Sequence, residues 1–252
     1  MGGPDAAFHT TQWTEILSVG TADVERRNRA EGAILAQYWK PVYSYLRCKG
    51  FSNEQGKDLT QGFFCDVVLG KELIPQADRK KGRFRSFLLT ALDHYVSDVL
   101  RKDRAQKRRP AGKLVSLDGA ADLHLLEPVH QATPEQAFHR AWARQLLGEI
   151  LDELEQSCRW KGQQSHWKVF QARCLRPTLE GAEPVPLGDL CSQLGIPDEK
   201  TAANMAVTLK RRFAALMRNK VSAWVHGAEE VDGEIKEIIA LLCGAGASRP
   251  TR

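Results

Sequence analysis

Apolar residues recur at intervals of three and four along most of this chain, a spacing that admits helices and little else. The clearest stripe is Phe84, Phe87, Leu88, Ala91, Leu92, Tyr95 and Val99, which predicts a helix beginning near Phe84. Trp13, Ile16 and Leu17 mark another helix, opened by Thr11 and ended by Gly20. A helix from about Asp23 to Trp39 follows, and Pro41 restarts the chain into a stripe of Val42, Tyr45 and Leu46 that ends at Gly50. Ser52 with Gln55 forms a capping box for a helix carrying Leu59, Phe63, Phe64, Val67 and Val68 and stopped by Gly70. Thr133 with Gln136 forms a second box, with Pro134 at the first helical position, for a helix reaching about Ser157. Ser165 to Arg176 reads as a helix and Pro177 to Pro186 as a loop. No alternating run of strand type exceeds a few residues, so the expected fold class is all-α.

Charge is distributed less evenly. The whole chain carries a net charge of only +5, yet twelve Lys and Arg face three acids between Arg79 and Lys113. Clustered cations beside aromatic rings suit a polyanion with exposed bases, because cations neutralise phosphates and rings stack on unpaired bases. A solvated helical face with a basic loop has the same composition, and charge alone leaves both readings open. Phe84 and Phe87 lie on the apolar stripe and are expected in the core, while His94 and Tyr95 could face either way.

Residues 111–132 hold Gly, Pro, Asp and scattered leucines, a composition expected of an interdomain linker. Beyond it, Leu187, Leu190, Cys191 and Leu194 mark a short helix closed by Gly195. A tight turn, Ile196-Pro-Asp-Glu, leads to a longer helix from about Lys200 carrying Met205, Leu209, Phe213, Leu216 and Met217. Short helix, glycine turn and longer helix fit a helix-turn-helix, whose second helix enters the major groove, although plain helical hairpins share the pattern. Lys210, Arg211, Arg212, Arg218 and Lys220 would flank such a helix and meet phosphates. Residues 229–242 form an acidic amphipathic helix that could fold back on this basic region, bind a partner or complete the local core; 244–252 reads as a frayed tail.

Other classes fit less well. The six cysteines are scattered, with no CxxC pair or nearby histidine spacing, so neither zinc nor any other cofactor is expected. Dispersed thiols suit a reduced, cytoplasmic compartment. No apolar run approaches a membrane span and the N-terminus lacks a signal-peptide pattern, so no membrane partner is expected. With no Gly-rich phosphate loop, metal-ligand cluster or nucleophile motif, the chain does not read as an enzyme.

Two basic helical modules joined by a linker resemble a bacterial RNA polymerase sigma factor of the extracytoplasmic-function (ECF) type. Asp58-Leu-Thr-Gln61-Gly-Phe-Phe64 is similar to the Asp-x-x-Gln-Glu-x-Phe signature of sigma region two. Gly82-Arg-Phe-Arg-Ser-Phe-Leu-Leu-Thr-Ala-Leu92, with Asp98-Val-Leu-Arg-Lys102, resembles the promoter-melting helix and its basic end. Tyr38-Trp39-Lys-Pro41-Val-Tyr43-Ser-Tyr45-Leu-Arg47 is similar to the start of that module in a divergent, planctomycete-like branch, and Leu190 to Arg212 resembles region four. The resemblance implies a region two-like domain at 10–110, a linker at 111–132, a region four-like domain at 133–226 and a C-terminal helix and tail at 227–252.

The resemblance also implies a function in transcription initiation, with core RNA polymerase and promoter DNA as partners and an anti-sigma protein or kinase as candidate regulators. Asp58, Gln61 and Phe64 would meet polymerase, although periodicity equally allows Phe64 to be core. Lys80, Lys81, Arg83 and Arg85 would hold the phosphates of an opened −10 element, and Arg101, Lys102 and Arg104 would track the strand beyond it. Thr201, Asn204 and Thr208, with Lys210 and Arg211, would face the −35 element, where Asn can pair with adenine and Thr can touch a thymine methyl. Two departures matter. The recognition helix has no early Arg, which favours phosphate binding with weak sequence preference, and Gly62 stands where the family usually has Glu. A sigma-like DNA-binding regulator or adaptor that no longer engages polymerase is the alternative.

Overall fold

The computed structural model describes residues 24–70, 73–74, 83–107, 132–222, 225 and 228–243. Every regular element among them is helical, in keeping with the all-α expectation. The described residues divide into two compact units, the first ending at Trp142 and the second beginning at Ala143. The division falls inside the helix Pro134–Trp160. The linker at 111–131, the helix expected from Thr11 and the tail at 244–252 lie outside the described residues.

In the first unit, α1 spans Val24–Cys48 and runs straight through Pro41, where the sequence predicts a restart. A proline inside a helix costs about 3 kcal/mol through a lost hydrogen bond and a steric clash. Each fully buried large apolar side chain returns about 1.5–3 kcal/mol. Ile34 and Tyr38 before the proline, and Val42, Tyr45 and Leu46 after it, form one buried stripe, so packing overrides the proline. Next comes α2, Asn53–Gly62, which continues as a π-helical segment, Phe63–Leu69. Its capping box is made as expected: Gln55 N–H donates to Ser52 Oγ at 3.2 Å, and Ser52 N–H to Gln55 Oε1 at 3.0 Å. The π segment turns Phe63, Phe64, Val67 and Val68 inward together.

Helix α3, Phe84–Lys107, packs its stripe of Phe84, Leu88, Leu92 and Val96 into the same core. Phe84 lies edge-on to Tyr38, with ring centroids 5.5 Å apart. The start of α4, Pro134–Trp160, closes this core with Phe138 and Trp142, after the second expected capping box at Thr133 and Gln136.

A polar clasp ties α1 to α3. The Tyr45 hydroxyl and the Lys49 ammonium both donate to Asp93 Oδ1, each at 2.7 Å. Burial pushes the Tyr45 phenol up to about 12, with the Asp93 hydrogen bond adding to the rise and Lys49 opposing it. An unfolded tyrosine titrates near about 10. The folded value is the higher one, so this contribution to stability is complete below the unfolded value and is lost as pH rises through the folded one. Urea unfolding should show stability falling across that alkaline window. Tyr45→Phe should cost about 1 kcal/mol at neutral pH and make the alkaline decline shallower.

In the second unit, the rest of α4 is followed by α5, Gln164–Phe170, a π-helical segment Gln171–Leu175 and α6, Arg176–Glu180. The loop expected from Pro177 begins later, because the helix runs on without a break from the π segment through Pro177 and ends at Gly181, which is left-handed at φ 68°. Helices α7, Leu187–Leu194, α8, Glu199–Ser222, and α9, Ala228–Leu242, complete the unit. One core joins Leu154, Cys158, Trp167, Phe170 and Leu209; a second joins Val169, Leu190, Ile196, Ala202 and Ala206. No helix among the described residues is long and apolar enough to cross a membrane.

Candidate nucleic-acid interface

The turn between α7 and α8 is built from three local signals. Gly195 takes the left-handed conformation, φ 64°, and Ile196 N–H donates back to Cys191 O at 3.0 Å. That is a Schellman ending, with Ile196 buried as its apolar contact. Asp198 then starts α8: its carboxylate accepts from Thr201 N–H at 2.7 Å and from the Thr201 hydroxyl at 3.0 Å. These bonds, backbone first, hold the Asp198 carboxyl below its usual range. The cap is thus complete above the ordinary carboxylate range and is lost as pH falls through the lowered value. Short helix, left-handed glycine and capped long helix follow one another in the order the sequence predicts.

Helix α8 is buried through Ala202, Ala206, Leu209 and Met217. Its outward side presents Lys200, Asn204, Val207, Arg211 and Ala215, all exposed and spaced as one helical face. Of the expected base-reading residues, Asn204 and Arg211 stand on this face. Thr208 is half-buried at its edge, and its hydroxyl donates to Asn204 O at 2.8 Å. Thr201 is half-buried, and its hydroxyl and its N–H are both engaged by the Asp198 cap, which leaves only its methyl for a base contact. Lys210 is exposed on another flank of α8, beside Cys174. Lys200 and Val207 went unnoticed in the sequence, although their spacing from Asn204 and Arg211 could have disclosed them.

The expected phosphate-meeting row contracts as well. Lys220 is buried and lies 3.4 Å from Glu153, Arg212 donates to Gln163 Oε1 at 2.7 Å, and Arg218 pairs with Asp232 of α9 at 2.7 Å. Arg211 and Lys200 are the cations aimed outward on the polar face. Asp198 and Glu199 place acid at the start of α8 beside Lys200, which weakens a phosphate contact there relative to one at Arg211. The acidic C-terminal helix does fold back: Val231 and Ile238 of α9 are buried, so it both completes the core and neutralises Arg218.

In the first unit, Asp58 and Gln61 are exposed on one face of α2, as the sequence predicts, together with Glu54 and Lys57. Phe64 is not on that surface. It is 1% exposed, stacked on Trp39 with centroids 5.9 Å apart, because the π segment rotates it inward. Arg85 is corrected too: it is 4% exposed, with its guanidinium 4.3 Å over the Trp142 ring, a cation–π contact that removes it from any phosphate. Arg83 is exposed just before α3. Arg101 and Lys102 are exposed near its other end, about 27 Å away at the helical rise per residue. Arg101 donates to Asp98 at 2.7 Å, and Asp93 shares the outer surface of α3, so its charge is mixed. Lys80 and Lys81 lie outside the described residues, as does the side chain of Arg104.

Gly62 has a structural cause. A Cβ at this position would come within 2.5 Å of the Tyr95 hydroxyl and 3.7 Å of its ring carbon, and Tyr95 packs on Phe63 with centroids 5.6 Å apart. Tyr95 therefore fills the space that a larger residue would need. Gly62→Ala should destabilise the protein while Tyr95 is present, and should stabilise it by about 1 kcal/mol in a Tyr95→Phe background. Chemical denaturation of the double-mutant cycle checks this reversal of sign.

Compared with protein-family models, curated proteins and solved structures, the chain matches none.

Proposed function

We propose that this chain is an alternative sigma factor, which binds core RNA polymerase through the exposed Asp58–Gln61 face of α2 and directs promoter recognition and opening. The observation that carries the reading is the α7–Gly195–α8 unit, in which a Schellman turn and an Asp198 cap hold an exposed face of Lys200, Asn204 and Arg211. In this reading Asn204 reads a base edge and the two cations meet phosphates on either side. Arg83, Arg101 and Lys102 supply further phosphate contacts in the first unit. The few outward cations of α8 support binding with modest sequence preference.

A second reading, a sigma-like DNA-binding regulator that no longer engages polymerase, is favoured by the Gly62–Tyr95 packing and by the burial of Phe64. Both remove features of the polymerase-facing signature. Co-sedimentation with core polymerase, followed by run-off transcription, separates the two. Holoenzyme formation and promoter-dependent transcripts are expected; DNA binding without either would replace the first reading with the second. Promoter binding should also weaken steeply with salt, in proportion to the phosphates neutralised, and a flat salt dependence would count against both.

A further inference from the structure

The second unit contains a cavity of about 460 Å³ between the π segment with α6 on one side and α8 with α9 on the other. That volume lies within the range of small-molecule sites, about 300–1,000 Å³. Its walls are mostly apolar, with Phe170, Leu175, Phe213, Met217, Ile235 and Ile239 among the residues that line it. At its rim Leu179 and Ile239 are 52% and 50% exposed, a large apolar exposure for two neighbours of one opening.

Among the described residues, three charged ones line the cavity: Lys210, Arg218 and Asp232. Arg218 and Asp232 hold each other at 2.7 Å and balance. Lys210 is left as the surplus positive charge, exposed at the edge beside Cys174. A neutral or cationic occupant would cover this ammonium without compensating its lost hydration, whereas an anionic head would offset that cost. We propose that the cavity binds a small amphipathic carboxylate, its apolar body among Phe170, Leu175 and Ile239 and its carboxylate on Lys210. The inference is independent of the DNA-binding reading, since neither Lys200, Asn204 nor Arg211 lines the cavity.

Calorimetric titration of the full chain with monomeric decanoate, with decanol as the uncharged probe, tests it. Saturable binding of one decanoate per chain is expected. Ala214→Trp, which places an indole in the cavity from an exposed helix position, should abolish binding while circular dichroism shows the fold retained. Lys210→Met should weaken decanoate about five-fold, the scale of an exposed ion pair, and leave decanol unchanged. The proposal is overturned if decanoate does not saturate, if it binds folded Ala214→Trp as tightly as the parent, or if Lys210→Met affects both probes equally.

Discussion

Phe64→Ala is expected to remove about 3–5 kcal/mol of stability, the range for deleting a buried aromatic ring. The ring is almost fully enclosed, stacked on Trp39 and edge-on to Phe63 at 5.6 Å. Deleting it leaves a cavity between α1 and the π segment that neighbouring rings fill only in part. Native domains are stable by about 5–15 kcal/mol, so the loss is a large share of the whole. Asp58→Ala and Gln61→Ala, on the exposed side of α2, should each change stability by no more than about 0.5 kcal/mol. Thermal unfolding of the three variants reads the contrast. A Phe64→Ala protein that melts like the parent yet loses a polymerase contact would place the ring at the surface after all.

Replacing Lys200, Asn204 and Arg211 together by alanine should abolish measurable promoter binding without unfolding α8, because all three side chains are exposed. The single changes should differ in kind. Asn204→Ala should cost about 1–3 kcal/mol, concentrated on the base pair it reads, so that a systematic set of promoter variants loses discrimination at one position. Lys200→Ala and Arg211→Ala should weaken all sequences alike and lower the salt slope by about 1 each. Lys210→Ala should leave DNA affinity nearly unchanged, since it lies on another flank of the helix. Fluorescence anisotropy across a salt series checks all four variants. If Lys210→Ala proved as damaging as Arg211→Ala, the outward face would be wrongly placed.

The contrast between Arg211 and its neighbours shows what a charge pattern can and cannot convey. Lys210, Arg211, Arg212, Arg218 and Lys220 read as one basic row, but one turn of helix is about 3.6 residues, so consecutive cations point in different directions. Arg212 and Lys220 turn toward Gln163 and Glu153, and only packing decides which side of α8 is covered. Arg85 shows the same effect in α3, where an inward position is reconciled with its charge by the Trp142 ring.

Sequence by itself determined the all-α class, both capping boxes, the stop at Gly70, the left-handed Gly195 turn and the exposure of Asp58 and Gln61. These depend on periodicity and on short-range hydrogen bonds, whose partners lie within a few residues of each other. Tertiary structure alone decided that α1 continues through Pro41, that Phe64 and Arg85 are interior, that Gly62 makes room for Tyr95, and that the boundary between units falls inside α4. Each of these turns on a partner distant in the chain, whose burial or volume outweighs a local preference of about 1–3 kcal/mol.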